Sequence, residues 1–129
     1  MIEIIGRFHP LIVHLPIGFI LIAAIFQYVS LKKKYVLQDA IRISLFVGML
    51  SALCACITGY ISSGNQEEST TMMYHFYLGL ITFVFSFIAW IAHRLQKKYA
   101  AIIVYSLVCL VCVTGHFGGS LTHGEDYLF

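Results

Sequence analysis

Five of the six histidines, His9, His14, His75, His116 and His123, fall at the same end of the long apolar segments that make up most of this chain. Imidazole is costly in hydrocarbon and is rarely found there without a partner or a function. Several at one depth, drawn from three segments and a tail, point to a bound metal or haem. His14 is followed four residues later by Gly18, and His75 four residues later by Gly79. On a helix such a glycine shares a face with the imidazole, and its missing side chain would let a flat macrocycle lie against the backbone. His14 and His75 are therefore the first choice for a bis-imidazole pair on a haem iron. His9, His116 and His123 are further ligands or supports, enough for one or two haems b. Arg7 is the only basic residue at that end and suits a haem propionate. Thr114, Thr122, Tyr74 and the carbonyl freed by Pro16 are the nearby groups that could orient the rings. A copper or zinc ion is the alternative occupant. It would need three or four close ligands, and Glu125 and Asp126 would extend the donor set. His93, beside Arg94 at the opposite end, reads as an interfacial residue.

These residues need a scaffold, and composition says which kind. The chain has 129 residues, 60% hydrophobic and only 11% charged. Soluble domains are about half apolar and a quarter charged, so lipid is the solvent this chain suits. Four apolar stretches, 11–31, 40–61, 72–93 and 100–117, each approach the ~20 residues needed to cross a bilayer core. Backbone groups must be satisfied internally in lipid, so the stretches are helices. Short links favour an up-down-up-down arrangement. The expected fold is all-α, an integral membrane four-helix bundle forming a single domain, with residues 118–129 as a tail over its mouth. Gly118-Gly119 reads as the end of the fourth helix, and Pro16 as a kink in the first.

Charge sets the expected orientation. Lys32, Lys33, Lys34, Arg42, Arg94, Lys97 and Lys98 flank two of the turns, and Arg7 is the only basic residue on the other side. The positive-inside rule places those turns in the cytoplasm. Both termini and the histidines then face outward, on the periplasmic side of a bacterial inner membrane. The first stretch lacks a basic start and a small-residue cleavage site, so it reads as a retained helix.

Other patterns narrow the function. The formal charge of +2 gives no support for a nucleic-acid partner. No acidic or basic residue lies near the bilayer centre, where pumps and ion-coupled transporters carry them. No P-loop, nucleophile elbow or zinc-protease motif is present, so hydrolytic or ATP-driven chemistry has no support, and an electron-transfer subunit of an oxidoreductase is the enzyme role the residues leave open. Cys109-x-x-Cys112 is not followed by His, so the covalent haem signature is absent. Cys54, Cys56, Cys109 and Cys112 read as small packing residues. Ser44, Gly48, Ala52, Ala55 and Gly59 form a small-residue seam on one face of the second helix. It serves close packing at one depth and leaves room for a macrocycle at another. No internal repeat stands out.

The run His9-Pro10-Leu11-Ile12-Val13-His14-Leu15-Pro16-Ile17-Gly18 resembles the opening motif of the DUF2231 family of bacterial four-helix membrane proteins. Thr114-Gly115-His116-Phe117-Gly118-Gly119, with Leu121-Thr122-His123-Gly124-Glu125-Asp126-Tyr127-Leu128, resembles its closing motif. His75 with Leu78-Gly79 matches the start of its third helix. The family resembles small membrane b-type cytochromes in layout, and members occur fused to c-type cytochrome modules. The resemblance implies a chain in the lipid bilayer that passes electrons between a membrane donor such as quinol and a periplasmic c-type cytochrome or partner complex. Any such cytochrome would be a separate chain. A structural or assembly subunit of a membrane complex, or an outer-face copper- or zinc-binding protein, are the other readings the residues leave open.

Overall fold

The computed structural model describes residues 2–33, 37–64 and 69–124. Every element among them is helical: α1 (Ile2–Gly6), α2 (His9–Ile12), α3 (His14–Lys33), α4 (Gln38–Ser63), α5 (Thr70–Arg94) and α6 (Ala100–His123). Four spans are long and apolar enough to cross a membrane, and the first runs from Ile4 through α3. Neighbours pack as α3–α4, α4–α5 and α5–α6, and α6 returns to α3. The four long helices thus form an antiparallel square with α3 and α5 on one diagonal. The short helices α1 and α2 lie on α4.

Within the spans large apolar side chains face outward and small polar ones are among the buried, as expected where the solvent is lipid. Large apolar side chains such as Ile22, Ile25, Phe46, Leu50, Ile57, Ile81, Phe87 and Ile102 face outward. The buried positions include Gln27, Ser44, Ser51, Thr58, Thr82 and Ser86 beside Ile20, Ile41, Leu45, Val104 and Leu107. Buried hydroxyls donate within their own helices, Ser51 to the Val47 carbonyl at 2.7 Å and Ser86 to that of Thr82 at 2.7 Å. Thr82 and Thr114 approach at 3.1 Å between their hydroxyl oxygens, which ties α5 to α6 and fixes their register. On α4 the small-residue seam works as expected at mid-depth. A Cβ at Gly48 would stand 3.4 Å from side-chain carbons of both Phe19 and Ile20, so α3 packs directly on this glycine.

Pro16 breaks the first span where its missing N–H leaves the Ile12 carbonyl without a helical donor. The helix is interrupted at Val13, separating α2 from α3. Ser69 caps α5 by accepting from the Met72 amide at 3.1 Å. The other end of α5 closes in a Schellman turn. Gln96 takes the left-handed conformation at φ 50°. The Lys97 amide donates to the Ala92 carbonyl at 2.9 Å, and the Gln96 amide to that of His93 at 3.2 Å.

One boundary differs from expectation. Gly118-Gly119 does not end the fourth helix, which continues to His123. Two glycines cost roughly 1 kcal/mol each in a helix interior. Here Gly118 lies where α6 faces α5, and a close contact described below occupies the space it leaves. The helix stops at Gly124, whose φ of 95° is open to glycine. Of the expected tail 118–129, residues 118–123 are therefore helical, and 125–129 lie outside the described residues.

Candidate functional site at the histidine end

The end of the bundle shared by α1, α2, the start of α5 and the end of α6 brings two imidazoles together. His9 opens α2, and His75 sits in the second turn of α5. Their ring centroids are 6.2 Å apart, with the planes at 76°. The two rings come from diagonally opposed spans and meet across the axis of the square, where four-helix bundles build their cofactor sites.

Each ring is oriented by a partner on the adjacent helix. His9 Nδ1 lies 3.2 Å from Thr58 Oγ1 on α4. The Thr58 hydroxyl is already directed at the Cys54 and Ala55 carbonyls, at 2.9 and 3.1 Å. Its oxygen therefore accepts, and the proton belongs on His9 Nδ1. His75 Nδ1 lies 3.0 Å from the Thr114 carbonyl on α6. A carbonyl only accepts, so His75 also carries its proton on Nδ1. Both rings are held in the tautomer that leaves the Nε2 lone pair for a metal.

Each ring also rests on a glycine backbone of that adjacent helix. A Cβ at Gly59 would stand 2.9 Å from His9 Cε1, and one at Gly118 would stand 2.9 Å from His75 Cε1. Alanine at either place would displace the imidazole. The seam on α4 thus changes use along its length, from helix packing at Gly48 to seating a histidine at Gly59. The glycines expected beneath the imidazoles do not play this part. Gly18 faces open space, and a Cβ at Gly79 would meet only Cys56 Sγ, at 4.0 Å.

The other expected ligands are placed differently. His14 is exposed, and its Nδ1 turns back onto the Pro10 carbonyl of its own span at 2.6 Å. The structure thus brings His9, not His14, to His75. His123 makes the same kind of intrahelical contact, Nδ1 to the Gly119 carbonyl at 3.3 Å. His116 is exposed and lies against Phe117, with ring centroids 5.7 Å apart. These two are one turn pair apart on a single helix. Arg7 is exposed in the α1–α2 turn at this same end. Aromatic pairs Tyr60–Phe76, at 6.3 Å, and Tyr74–Phe117, at 5.7 Å, flank the site.

No group of three or more His, Cys, Asp or Glu converges to hold an ion among the described residues. Glu125 and Asp126 lie outside them. Cys54, Cys109 and Cys112 are exposed and Cys56 is half-buried, none of them in a disulfide, so the four do not meet as a thiolate cluster.

A family model described as "Predicted membrane protein (DUF2231)" matches residues 7–125. The chain belongs to the DUF2231 family. The match covers both arms of the histidine site of this DUF2231 protein, from Arg7 and His9 to Gly118. No curated protein and no solved structure matches it.

The reasoning from sequence missed Thr58 and Gly118, and it assigned Gly59 to a general packing seam. A signal for the threonines was present. Cys56-Ile57-Thr58-Gly59 on α4 and Cys112-Val113-Thr114-Gly115 on α6 repeat the same pattern. Thr58 orients His9 through its hydroxyl, whereas Thr114 orients His75 through its backbone carbonyl, a role that does not need the threonine side chain.

Proposed function

We propose that this DUF2231 protein is a membrane b-type cytochrome whose haem iron is held by His9 and His75. The observation that carries the reading is the pair itself, two imidazoles from opposed spans with centroids 6.2 Å apart, each with its Nδ1 against an oxygen of the adjacent helix. A metal–nitrogen bond is about 2.0–2.1 Å. Adding about 1.1 Å from nitrogen to ring centre, two imidazoles on opposite sides of one metal would stand about 6.3 Å apart, and at a tetrahedral angle about 5.1 Å. The separation suits one metal that would be held between His9 and His75. A haem needs only two protein ligands, whereas a zinc or copper cage would need a third or fourth.

The residues around the pair suit a large apolar ring with an anionic edge. Tyr60–Phe76 and Tyr74–Phe117 form aromatic pairs next to the residues that seat the rings, and Arg7 would supply a cation at the mouth for a propionate. Thr58 and the Thr114 carbonyl fix ring rotation and raise ligand basicity. Bound haem would supply one-electron exchange, with its potential set by these ligands, their hydrogen bonds and burial. The basic turns at the far end support a periplasmic position for the histidine site in a bacterial inner membrane, by the positive-inside rule. A quinol in the bilayer is the donor that location suits, and a separate periplasmic c-type cytochrome the acceptor.

The test is a visible absorption spectrum of the full chain, purified from haem-sufficient membranes, before and after dithionite. Sharp Soret and α bands on reduction support bis-imidazole haem b. A colourless protein carrying stoichiometric copper or zinc overturns haem in favour of an ion, and one carrying neither leaves a scaffold subunit.

A further inference from the structure

The opposite end of the bundle holds a second polar site. Gln27 on α3 and His93 on α5 are 4% and 3% exposed. Gln27 Oε1 and His93 Nε2 are both buried and have no hydrogen-bond partner. Buried polar atoms are nearly always paired, and each exception calls for an explanation. Both residues line one open cavity of about 310 Å³, together with Leu31, Gln96, Lys97 and Lys98. A water occupies about 30 Å³, so the cavity holds far more than the one or two waters that would pair these atoms. His93 was expected to be interfacial. It is the penultimate residue of α5, its ring is buried, and Arg42 Nε on α4 donates to its carbonyl at 3.3 Å.

The lining defines the occupant. Gln27 Oε1 accepts only, so it needs a hydroxyl or N–H donor. Lys97 and Lys98 bring positive charge, and no carboxylate lines the cavity. The nearby Asp39 is paired with Arg42 at 3.1 Å. The cavity opens where α3 and α5 end, at headgroup depth in a bilayer, and Leu31 supplies an apolar wall. We infer that this end binds a glycerol phosphate headgroup, supplied by an anionic phospholipid of the phosphatidylglycerol type. The lysines neutralise the phosphate, and the glycerol hydroxyls supply the donors that Gln27 and His93 lack once those side chains turn toward the cavity. Basic pockets between spans bind anionic headgroups in this way. Phosphatidylcholine has the same tails and phosphate and no hydroxyl or N–H to give. Eighteen residues of α5 separate His75 from His93, about 27 Å of helix, so this site stands apart from the histidine pair.

The experiment is native mass spectrometry of the full chain from micelles holding equal phosphatidylglycerol and phosphatidylcholine, with soluble glycerol 3-phosphate added in a second arm. The expected result is a clear preference for phosphatidylglycerol. Lys97→Gln with Lys98→Gln should lower that preference, about fivefold per charge removed. Gln27→Leu should abolish the hydroxyl-dependent part while leaving the lysine effect. The lysine variants alter exposed side chains and fold normally, so they decide the question if Gln27→Leu does not fold. Equal retention of the two lipids, or an unchanged preference in the lysine variants, overturns the inference. Saturation by glycerol 3-phosphate without lipid preference overturns the lipid source.

Discussion

Replacing Gly118 with alanine isolates the seat of His75 from the stability of the helix that carries it. The new Cβ would stand 2.9 Å from His75 Cε1 and 3.3 Å from Nδ1. Ordinary contact begins near 3.4 Å, so the ring must withdraw by at least about half an ångström. The Nδ1 bond to the Thr114 carbonyl, now 3.0 Å, would then stretch to about the limit of a hydrogen bond. Losing it costs about 0.5–1.5 kcal/mol. Alanine for glycine inside a helix returns about 0.8–1.0 kcal/mol. The two terms nearly cancel, so Gly118→Ala should melt close to the parent protein. Haem affinity should nevertheless fall about 10- to 100-fold, the usual effect of disturbing a group that orients a ligand. Gly115→Ala is the matched control, because nothing lies within 4 Å of its Cβ position. It should stabilise α6 by up to about 1 kcal/mol and leave the haem untouched. The assay is haem titration followed by absorbance, with thermal melting of the same samples. Tight haem binding by folded Gly118→Ala, or equal loss in Gly115→Ala, would refute the reasoning.

Three further outcomes follow from single contacts. Thr58→Val removes the acceptor for His9 Nδ1–H at nearly constant volume. It should weaken haem binding about 10- to 100-fold and move the midpoint potential, read by redox titration; an unchanged affinity would remove Thr58 from the site. Gly6→Ala would place Cβ 3.1 Å from the backbone N and Cα of Ser62. That clash with backbone should destabilise the α1–α4 contact by about 1–3 kcal/mol, measured by thermal melting, and an unaltered melt would show that α1 does not hold this position. Gln96→Gly relieves a left-handed non-glycine residue and should stabilise the turn after α5 by about 1 kcal/mol; a loss of stability would mean that the Gln96 side chain contributes more than its backbone strain costs.

The four spans were legible because their signal is bulk hydrophobicity, which needs no tertiary context. The kink at Pro16 was legible because it depends on one residue's own chemistry. The end of the fourth helix was not. Gly118-Gly119 carries the local signature of a stop, yet Gly118 is the close-approach surface for His75, a contact only the packed bundle reveals. The histidine level was visible in the sequence, and the partner of His75 was not. Counting turns along one helix placed Gly18 under His14 and Gly79 under His75, while the glycines in contact with imidazoles, Gly59 and Gly118, come from the neighbouring helices. Pairing between helices depends on register and rotation, which the Thr82–Thr114 contact and the break at Val13 set. His93 lies beside Arg94 at the end of α5, and the burial of its ring depends on packing against neighbouring helices, which its own segment does not reveal.

The most direct measurement compares reduced-minus-oxidised spectra and low-temperature paramagnetic resonance of the parent chain with His9→Ala, His75→Ala and His14→Ala. The account predicts that the first two lose the low-spin bis-imidazole signature and that His14→Ala keeps it. It also predicts that the oxidised parent gives the single broad low-field feature of axial imidazoles with near-perpendicular planes, following from the 76° between the rings. Loss of the signature in His14→Ala with full retention in His9→Ala would contradict it.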